Sequence, residues 1–433
     1  MKIGIISLGC CKNLVDTENL IGLLQQSNQE ITYTLNQADA IIINTCGFID
    51  TAKEEGVNTI LEMCEYKKQN CKKIIVMGCL SERYYDDLIE EFPEVDRFIP
   101  IREYSQLGAI LTEVLEEPIA NNYGKCPQVL TGKPWMAYLK IADGCDNRCS
   151  YCAIPLIRGG YVSFPMESLI EQARDLAARG VKELNVVAQD TTRYGTDLYG
   201  KRKLVELLKE LNKIESLHWI RVLYMYPDEI DTELLEGMRQ LDKVLPYFDI
   251  PVQHGENRIL KLMNRRGSVE SILKTMNDIR QVFEFPVLRT TIIVGFPGES
   301  KEDFEGCLEF LKQAKWNRLG AFAYSKEEDT TAYDMEELID EEMKQSRLSE
   351  LMQLQESIST TVHEALIGSN IEVLVEKKDG LTGFYHGRSI YNAPDGIDGS
   401  VIFKSDRTID NGEFCFVEVE RIKNHNFYGK EKC

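Results

Sequence analysis

Cys145, Cys149 and Cys152 stand in the run Asp143-Gly-Cys-Asp-Asn-Arg-Cys-Ser-Tyr-Cys-Ala-Ile-Pro, three cysteines within eight residues of a 433-residue chain that holds 13. Thiolates on one tight loop can hold three corners of a [4Fe-4S] cubane, whereas an electron-transfer cluster of that type takes four Cys ligands. Three leave one iron open, and an open coordination position separates a reactive metal centre from a closed structural one. The alternative is zinc. A structural zinc site wants four Cys or His ligands, and the nearest histidines, His218 and His254, lie far downstream in unrelated contexts.

A second set, Cys10, Cys46 and Cys79, is separated by 36 and 33 residues, so no local motif catches it. The contexts are alike: Ser7-Leu-Gly-Cys, Asn44-Thr-Cys-Gly and Met77-Gly-Cys each follow a short apolar run. In an open α/β sheet the C-terminal ends of adjacent strands meet at one crevice. Three Cys placed there can reach a common point, and Gly beside each lets the backbone approach closely. The plainer reading is three small apolar residues at strand ends, since Cys is among the most buried types. The pattern alone also leaves Cys11, next to Cys10, open as a ligand.

The elements that must position these groups follow from periodicity. Residues 2–8, 40–44 and 73–77 are continuous Ile/Val-rich runs, as buried parallel strands are, with helical stretches at 15–26 and 51–66. The expectation for residues 1–120 is a doubly wound parallel-sheet α/β domain. Residues 121–134, rich in Pro, Asn and Gly, read as a linker. From 135 to 335, strand-like runs at 137–142, 183–188, 219–223, 248–251, 287–294 and 319–324 alternate with helical ones, the pattern of a (β/α) barrel. The Cys145 loop follows the first of these strands, where such a barrel puts its chemistry. Residues 336–366 read as a linking helix, and 367–433 as a small antiparallel β-barrel.

The formal charge of −20 disfavours a large phosphate-binding surface and suits a basic partner. No apolar run approaches the length of a membrane span, and the chain opens on a strand rather than a signal peptide. A cytoplasmic location is expected, where thiols stay reduced and clustered Cys read as metal ligands.

With Tyr151 just before the last Cys, the triad resembles that of the radical S-adenosylmethionine (SAM) superfamily, in which SAM chelates the open iron. Ser7-Leu-Gly-Cys-x-Lys12-Asn13-x-Val15-Asp16-x-Glu18 resembles the N-terminal signature of the methylthiotransferase family, and most closely its ribosomal-protein branch. The tRNA-modifying branch usually carries Gln-Met-Asn where this chain has Cys-Lys-Asn. Gln189, Asp190 and Tyr194, the run Asp249-Ile-Pro-Val-Gln-His254, residues 289–299 and Ala323-Tyr-Ser-Lys-Glu-Glu match the family's barrel segments. Gly387-Arg-Ser and Asn392-Ala-Pro-Asp resemble its C-terminal TRAM domain. Thr17 stands where Ser is usual, Gly396 looks inserted, and Arg158-Gly-Gly-Tyr-Val-Ser is less basic than the family's loop.

The resemblance implies two [4Fe-4S] clusters. One, on Cys10 (chosen by the motif over Cys11), Cys46 and Cys79, would hold the sulfur to be inserted. The other, on Cys145, Cys149 and Cys152, would bind SAM and cleave it to a 5′-deoxyadenosyl radical. Tyr151, Gln189, Asp249, Gln253, Arg289 and Gly295 would shape the SAM pocket. The implied substrate is an aspartate β-carbon of small-subunit ribosomal protein S-twelve, with an electron donor and a sulfur source as further partners. A C–H bond of that kind is beyond side-chain acids and bases, so a cofactor must break it. Two alternatives remain: a tRNA adenosine methylthiotransferase, and an electron carrier with two four-ligand clusters. From residue 366 onward nine Lys/Arg stand against eleven Asp/Glu, which argues against tRNA. Cys64, Cys71, Cys126, Cys307, Cys415 and Cys433 match no such context and read as bystanders. His218, His254, His363, His386 and His425 are scattered, and only His254 falls at a predicted strand end. Arg265-Arg266 reads as a solvated turn and residues 336–342 as a solvated helix face.

Overall fold

The computed structural model describes residues 1–336 and 338–432, so Glu337, within the stretch read as a solvated helix face, and Cys433 lie outside the description. The chain condenses into two compact units: Met1–Arg179 with Val187–Gln189 and Ser325–Tyr333, and Gly180–Val186 with Asp190–Tyr324 and Asp334–Cys433.

The first unit opens with β1 (Lys2–Ser7), α1 (Cys11–Gln26), β2 (Glu30–Thr32), β3 (Ala40–Thr45) and α2 (Asp50–Cys64). It continues with β4 (Lys73–Gly78), α3 (Cys79–Arg83), α4 (Tyr85–Glu91), β5 (Arg97–Ile99) and α5 (Leu107–Leu115). All five strands pair in parallel, in the order β2-β1-β3-β4-β5. Strand alternation feeds two cores, as a sheet covered on both faces requires. Ala40 and Ile42 pack with Leu20, Leu23 and Leu107 on one side, Ile41 and Ile43 with Ile60, Met63 and Leu80 on the other.

Helix α1 starts earlier than periodicity predicts, at Cys11 rather than residue 15, because its first turn buries polar side chains. Lys12, Asn13, Asp16, Thr17 and Glu18 are all buried, so an apolar count misses them. The segment 121–134 is no free spacer either. Gln128 is 1% exposed and donates to Glu18 (2.6 Å) and the Tyr138 carbonyl (3.1 Å). The Thr131 N–H donates to Glu18 as well (3.0 Å), laying the segment along α1. The unit then holds β6 (Met136–Lys140), the ribbon β7 (Ala142–Asp143), α6 (Ile154–Arg158), β8 (Val162–Ser163) and α7 (Met166–Ala178).

The second unit carries β9 (Glu183–Val187), α8 (Leu204–Asn212), β10 (Trp219–Val222), α9 (Thr232–Arg239), β11 (Tyr247–Asp249), α10 (Asn257–Leu262) and α11 (Val269–Val282). After these come β12 (Val287–Val294), α12 (Lys301–Ala314), β13 (Arg318–Ala323) and α13 (Glu341–Glu364). The strands run parallel, β9 with β10 and β11 with β12 and β13. Helix α13 starts five residues later than expected, where Asp340 caps it by accepting the Met343 N–H (2.8 Å).

The C-terminal barrel comprises β14 (Asn370–Lys378), β15 (Tyr385–Arg388), β16 (Val401–Lys404), β17 (Phe414–Lys423) and β18 (Asn426–Glu431), closed in the order β14-β15-β16-β18-β17. It departs from an all-antiparallel barrel at one seam, where β16 and β18 pair in parallel. It docks on the N-terminal ends of the second unit's strands. Glu183, which opens β9, receives Arg221 (3.1 Å) and Arg388 (2.5 Å), all three fully buried, and Arg388 also meets Glu376 (2.6 Å). Gly387-Arg-Ser is thus a docking motif, with Arg388 as its plug.

Candidate metal centre

The parallel order β2-β1-β3-β4-β5 reverses direction between β1 and β3. In such sheets the crevice beyond the strand ends at that switch is where ligands bind. Cys10 lies just past β1 at the start of α1, Cys46 directly follows β3, and Cys79 is the first residue of α3 after β4. A Cβ on Gly9 would fall 2.7 Å from the Cys46 Cβ and 3.2 Å from its Sγ. A Cβ on Gly47 would fall 2.9 Å from the Cys79 carbonyl carbon. Only glycine lets the three strand ends converge this tightly.

Electrostatics report the same convergence. Burial pushes the Cys79 thiol up to about 12, with Arg158 opposing and the charges of Cys46 and Cys10 adding to the rise. Burial, with Cys10 beside it, also raises Cys46. Cys10 is the solvent-reachable member, though hemmed by protein that opposes its ionisation. Lys12, the Asn13 and Lys12 N–H groups and Arg158 outweigh this and bring it below the ordinary thiol value. Cys10 opposes the ionisation of Cys46, and both oppose that of Cys79, so three thiolates together need added positive charge, which a cluster's iron would supply. In this respect the donor set fits a [4Fe-4S] group.

Asn13 sits at the centre of this site. Its Nδ2 donates to the Leu8 (3.1 Å) and Thr45 (2.9 Å) carbonyls, and its Oδ1 accepts from the Cys79 thiol (3.5 Å) and Arg158 (2.7 Å). Asn44 donates to the Asn13 carbonyl and the Thr17 hydroxyl, both at 2.9 Å. The signature after Cys10 is therefore a buried polar face of α1.

The triad lies in the same unit. Its loop is closed at the root by the β7–β8 ribbon, Ala142 opposite Ser163 and Asp143 opposite Val162. The Cys145 N–H donates to the Gly159 carbonyl (3.1 Å), and a turn joins the Cys152 N–H to the Cys149 carbonyl (3.0 Å). Cys145, Cys149, Cys152 and Tyr151 are all half-buried, as an accessible centre requires. Among the described residues no three His, Cys, Asp or Glu are gathered on a single ion position.

Two further features position this loop, and sequence reasoning missed both. Helix α6, which begins two residues after Cys152, packs Ala153 and Ile157 against Cys79. It ends at Arg158, which meets Asp143 (2.9 Å) and Asp16 (3.0 Å), while Lys140 pairs with Asp143 (2.9 Å) and also with Asp16. Burial opposes the charged form of Asp143, but Lys140 and Arg158 hold it well below the usual carboxylate range. The second feature is the strap 325–333. Glu327 receives Arg83 (2.7 Å) and Lys53 (3.0 Å), Tyr84 donates to Glu328 (3.0 Å), and the Ala332 N–H donates to the Ser150 carbonyl (2.7 Å). The matching run Ser325-Lys-Glu-Glu was the available signal for the strap. For Arg158 it was a lone arginine six residues past the last Cys.

The expected SAM-pocket residues divide between the units. Tyr151 and Gln189 belong to the first. In the second, Gln253 ends the β11 segment with φ 78°, a left-handed conformation rare for a non-glycine residue and concentrated at functional sites. The Gly295 N–H donates to Glu299 (2.7 Å), which Arg347 holds (2.7 Å). Asp249 and Arg289 pair with each other (2.8 Å), Asp249 also accepts the Tyr224 N–H (3.1 Å), and Arg289 faces Asp398 of the C-terminal barrel (3.6 Å). His254 is fully buried 3.6 Å from Glu299, a packing position. Arg265 is half-buried and Arg266 exposed, and their guanidiniums lie 4.1 and 4.8 Å from the Tyr226 ring centre.

Comparison with known proteins places each region. The Radical SAM superfamily model matches residues 139–311, the Uncharacterized protein family UPF0004 model residues 2–100, and the TRAM domain model residues 367–431. The ribosomal protein uS12 methylthiotransferase RimO of Acetivibrio thermocellus is 46% identical, with 99% of this chain and 98% of that protein covered. Its counterpart in Caldicellulosiruptor saccharolyticus is also 46% identical, with 99% of each covered. Among solved structures, the radical SAM methyltransferase TsrM from Kitasatospora setae overlays with a TM-score of 0.57 at 12% identity, covering 76% of this chain and 73% of that one, a likeness of fold. On full-length identity to its relatives, the chain belongs to the RimO family of radical SAM methylthiotransferases.

Proposed function

We propose that this protein attaches a methylthio group to the β-carbon of an aspartate in ribosomal protein uS12, with two [4Fe-4S] clusters and SAM as cofactors. The observation that carries the reading is the presence of two three-cysteine sites in one compact unit of a chain whose full-length relatives are named for that reaction. Cys10, Cys46 and Cys79 would hold one cluster, and Cys145, Cys149 and Cys152 the other. The groups they hold supply the SAM-derived radical and the sulfur. The chain's own residues bind, orient and shield. Tyr151, Gln189, Gln253 and Gly295 are candidates to line the SAM pocket, whereas Asp249 and Arg289 would stiffen it through their mutual pair. An external electron donor and a sulfur source are required, and the cytoplasm is the expected compartment. No helix among the described residues is long and apolar enough to cross a membrane.

A protein substrate suits the C-terminal barrel better than tRNA does. Four of its nine basic residues are paired with carboxylates: Arg388 with Glu183 and Glu376, Arg407 with Glu413 and Glu431, Lys430 with Asp406, and Lys432 with Glu418. With eleven Asp/Glu against nine Lys/Arg from residue 366 onward, the barrel offers phosphates no net positive charge. The test is to incubate reconstituted, reduced protein with SAM and either uS12 or unmodified tRNA. Formation of 5′-deoxyadenosine with methylthiolation of uS12 supports the reading. Methylthiolation of tRNA alone overturns the substrate, and no 5′-deoxyadenosine at all favours an electron carrier.

A further inference from the structure

We propose that Arg158 is a positioning residue that couples the two thiol sites, setting the electrostatics of the Cys10/Cys46/Cys79 centre from the loop that carries the other. One guanidinium nitrogen, Nη2, donates to Asn13 Oδ1 (2.7 Å) and Asp16 Oδ2 (3.0 Å) and lies 3.6 Å from the Cys79 sulfur. The other, Nη1, grips both oxygens of Asp143 (3.1 and 2.9 Å) at the root of the triad loop. The side chain is 1% exposed. Its backbone ends α6, whose Ala153 and Ile157 already lie on Cys79. A single planar fork thus touches a candidate ligand sulfur of one site and the hinge of the other. Lysine, a point charge without the fork, cannot make both sets of contacts.

The physical consequence is specific. Hydrogen bonds to ligand sulfurs and nearby net charge set a cluster's reduction potential. An N–H donor and a positive charge beside Cys79 stabilise the more negative, reduced state of whatever cluster that thiolate holds. Asp143 partly neutralises the same guanidinium, so it acts in the opposite sense. The inference rests on the reading that Cys10, Cys46 and Cys79 hold a cluster.

The test uses the full chain with Cys145, Cys149 and Cys152 all changed to Ala, so that only the N-terminal site can load. Iron content and an EPR-monitored redox titration are measured for this parent and for Arg158→Gln, Arg158→Lys and Asp143→Asn added to it. Arg158→Gln is expected to lower the reduced-to-oxidised ratio at the parent's midpoint about tenfold, and Arg158→Lys to recover part of that. Asp143→Asn is expected to move the ratio the other way. A merely structural clamp would change iron content or melting without these opposed shifts. Unmoved potentials in loaded Arg158→Gln and Asp143→Asn proteins overturn the role of Arg158. If Arg158→Gln does not load, the direction of the Asp143→Asn shift decides. A parent that takes up no iron overturns the cluster reading instead.

Discussion

The two thiol sets are assembled by opposite routes. Cys145, Cys149 and Cys152 are neighbours in sequence, and their loop is held by a ribbon at its root and a strap at Ser150. Cys10, Cys46 and Cys79 are brought together by the register of three parallel strands, by glycines that admit close backbone approach, and by Asn13, which ties the ends together. A local site survives in the sequence as a spacing. A site built on strand ends survives only as a repeated context, and it depends on the whole sheet. Yet the two are not independent, because Asp16, Asp143, Lys140 and Arg158 form one buried set of charges that both lean on.

The largest expected effect separates the sites by role. Cys149→Ala should abolish 5′-deoxyadenosine formation and methylthiolation together. Cys46→Ala should keep SAM cleavage and lose only the methylthio product, both read by liquid chromatography and mass spectrometry. Equal loss of cleavage in both variants would break the division of labour.

The shared charges come next. Asp16→Ala leaves Lys140 and Arg158 with only Asp143 as carboxylate partner, and a buried pair broken on one side costs about 3–5 kcal/mol. Glu183→Gln in the second unit removes the carboxylate that Arg221 and Arg388 share, leaving Arg388 with Glu376, at a similar cost. Urea midpoints should fall in both variants, but only Asp16→Ala should alter the EPR signals of the iron-loaded protein.

A smaller effect follows from pH. Lys140 and Arg158 depress Asp143, and Arg388 and Arg221 depress Glu183, each against the penalty of burial. A carboxylate with a depressed folded pKa contributes its full stability above its unfolded value, about 4. That contribution disappears as pH falls from there toward the folded value. The urea midpoint should therefore hold from pH 7 to about 5 and drop below about 4, and Glu183→Gln should drop less steeply. Least of all, Lys430→Ala removes an exposed pair with Asp406. Such pairs contribute under about 1 kcal/mol, so the midpoint should stay within error of the parent.

Much of this was legible in the sequence, for reasons that particular residues make plain. Runs such as Ala40–Thr45 announce a buried parallel strand because both faces are covered, and the strands β9, β10 and β11 are legible in the same way. What stayed hidden depends on partners far along the chain. Polar Asn13, Asp16 and Glu18 look solvated until Arg158, Lys140 and Gln128 meet them. Residues 121–134 look like a spacer because side chains such as Gln128 gain meaning only against α1. The strands Tyr385–Arg388 and Asn426–Glu431 are interrupted by Gly and charge, so alternation misses them, although they close the C-terminal barrel.

Mass spectrometry of uS12 from cells with and without this gene tests the proposed activity most directly. One methylthio group in place of a hydrogen on a single aspartate is expected, present with the gene and absent without it. An identical uS12 mass in both, with methylthioadenosine in tRNA depending on the gene instead, would contradict it.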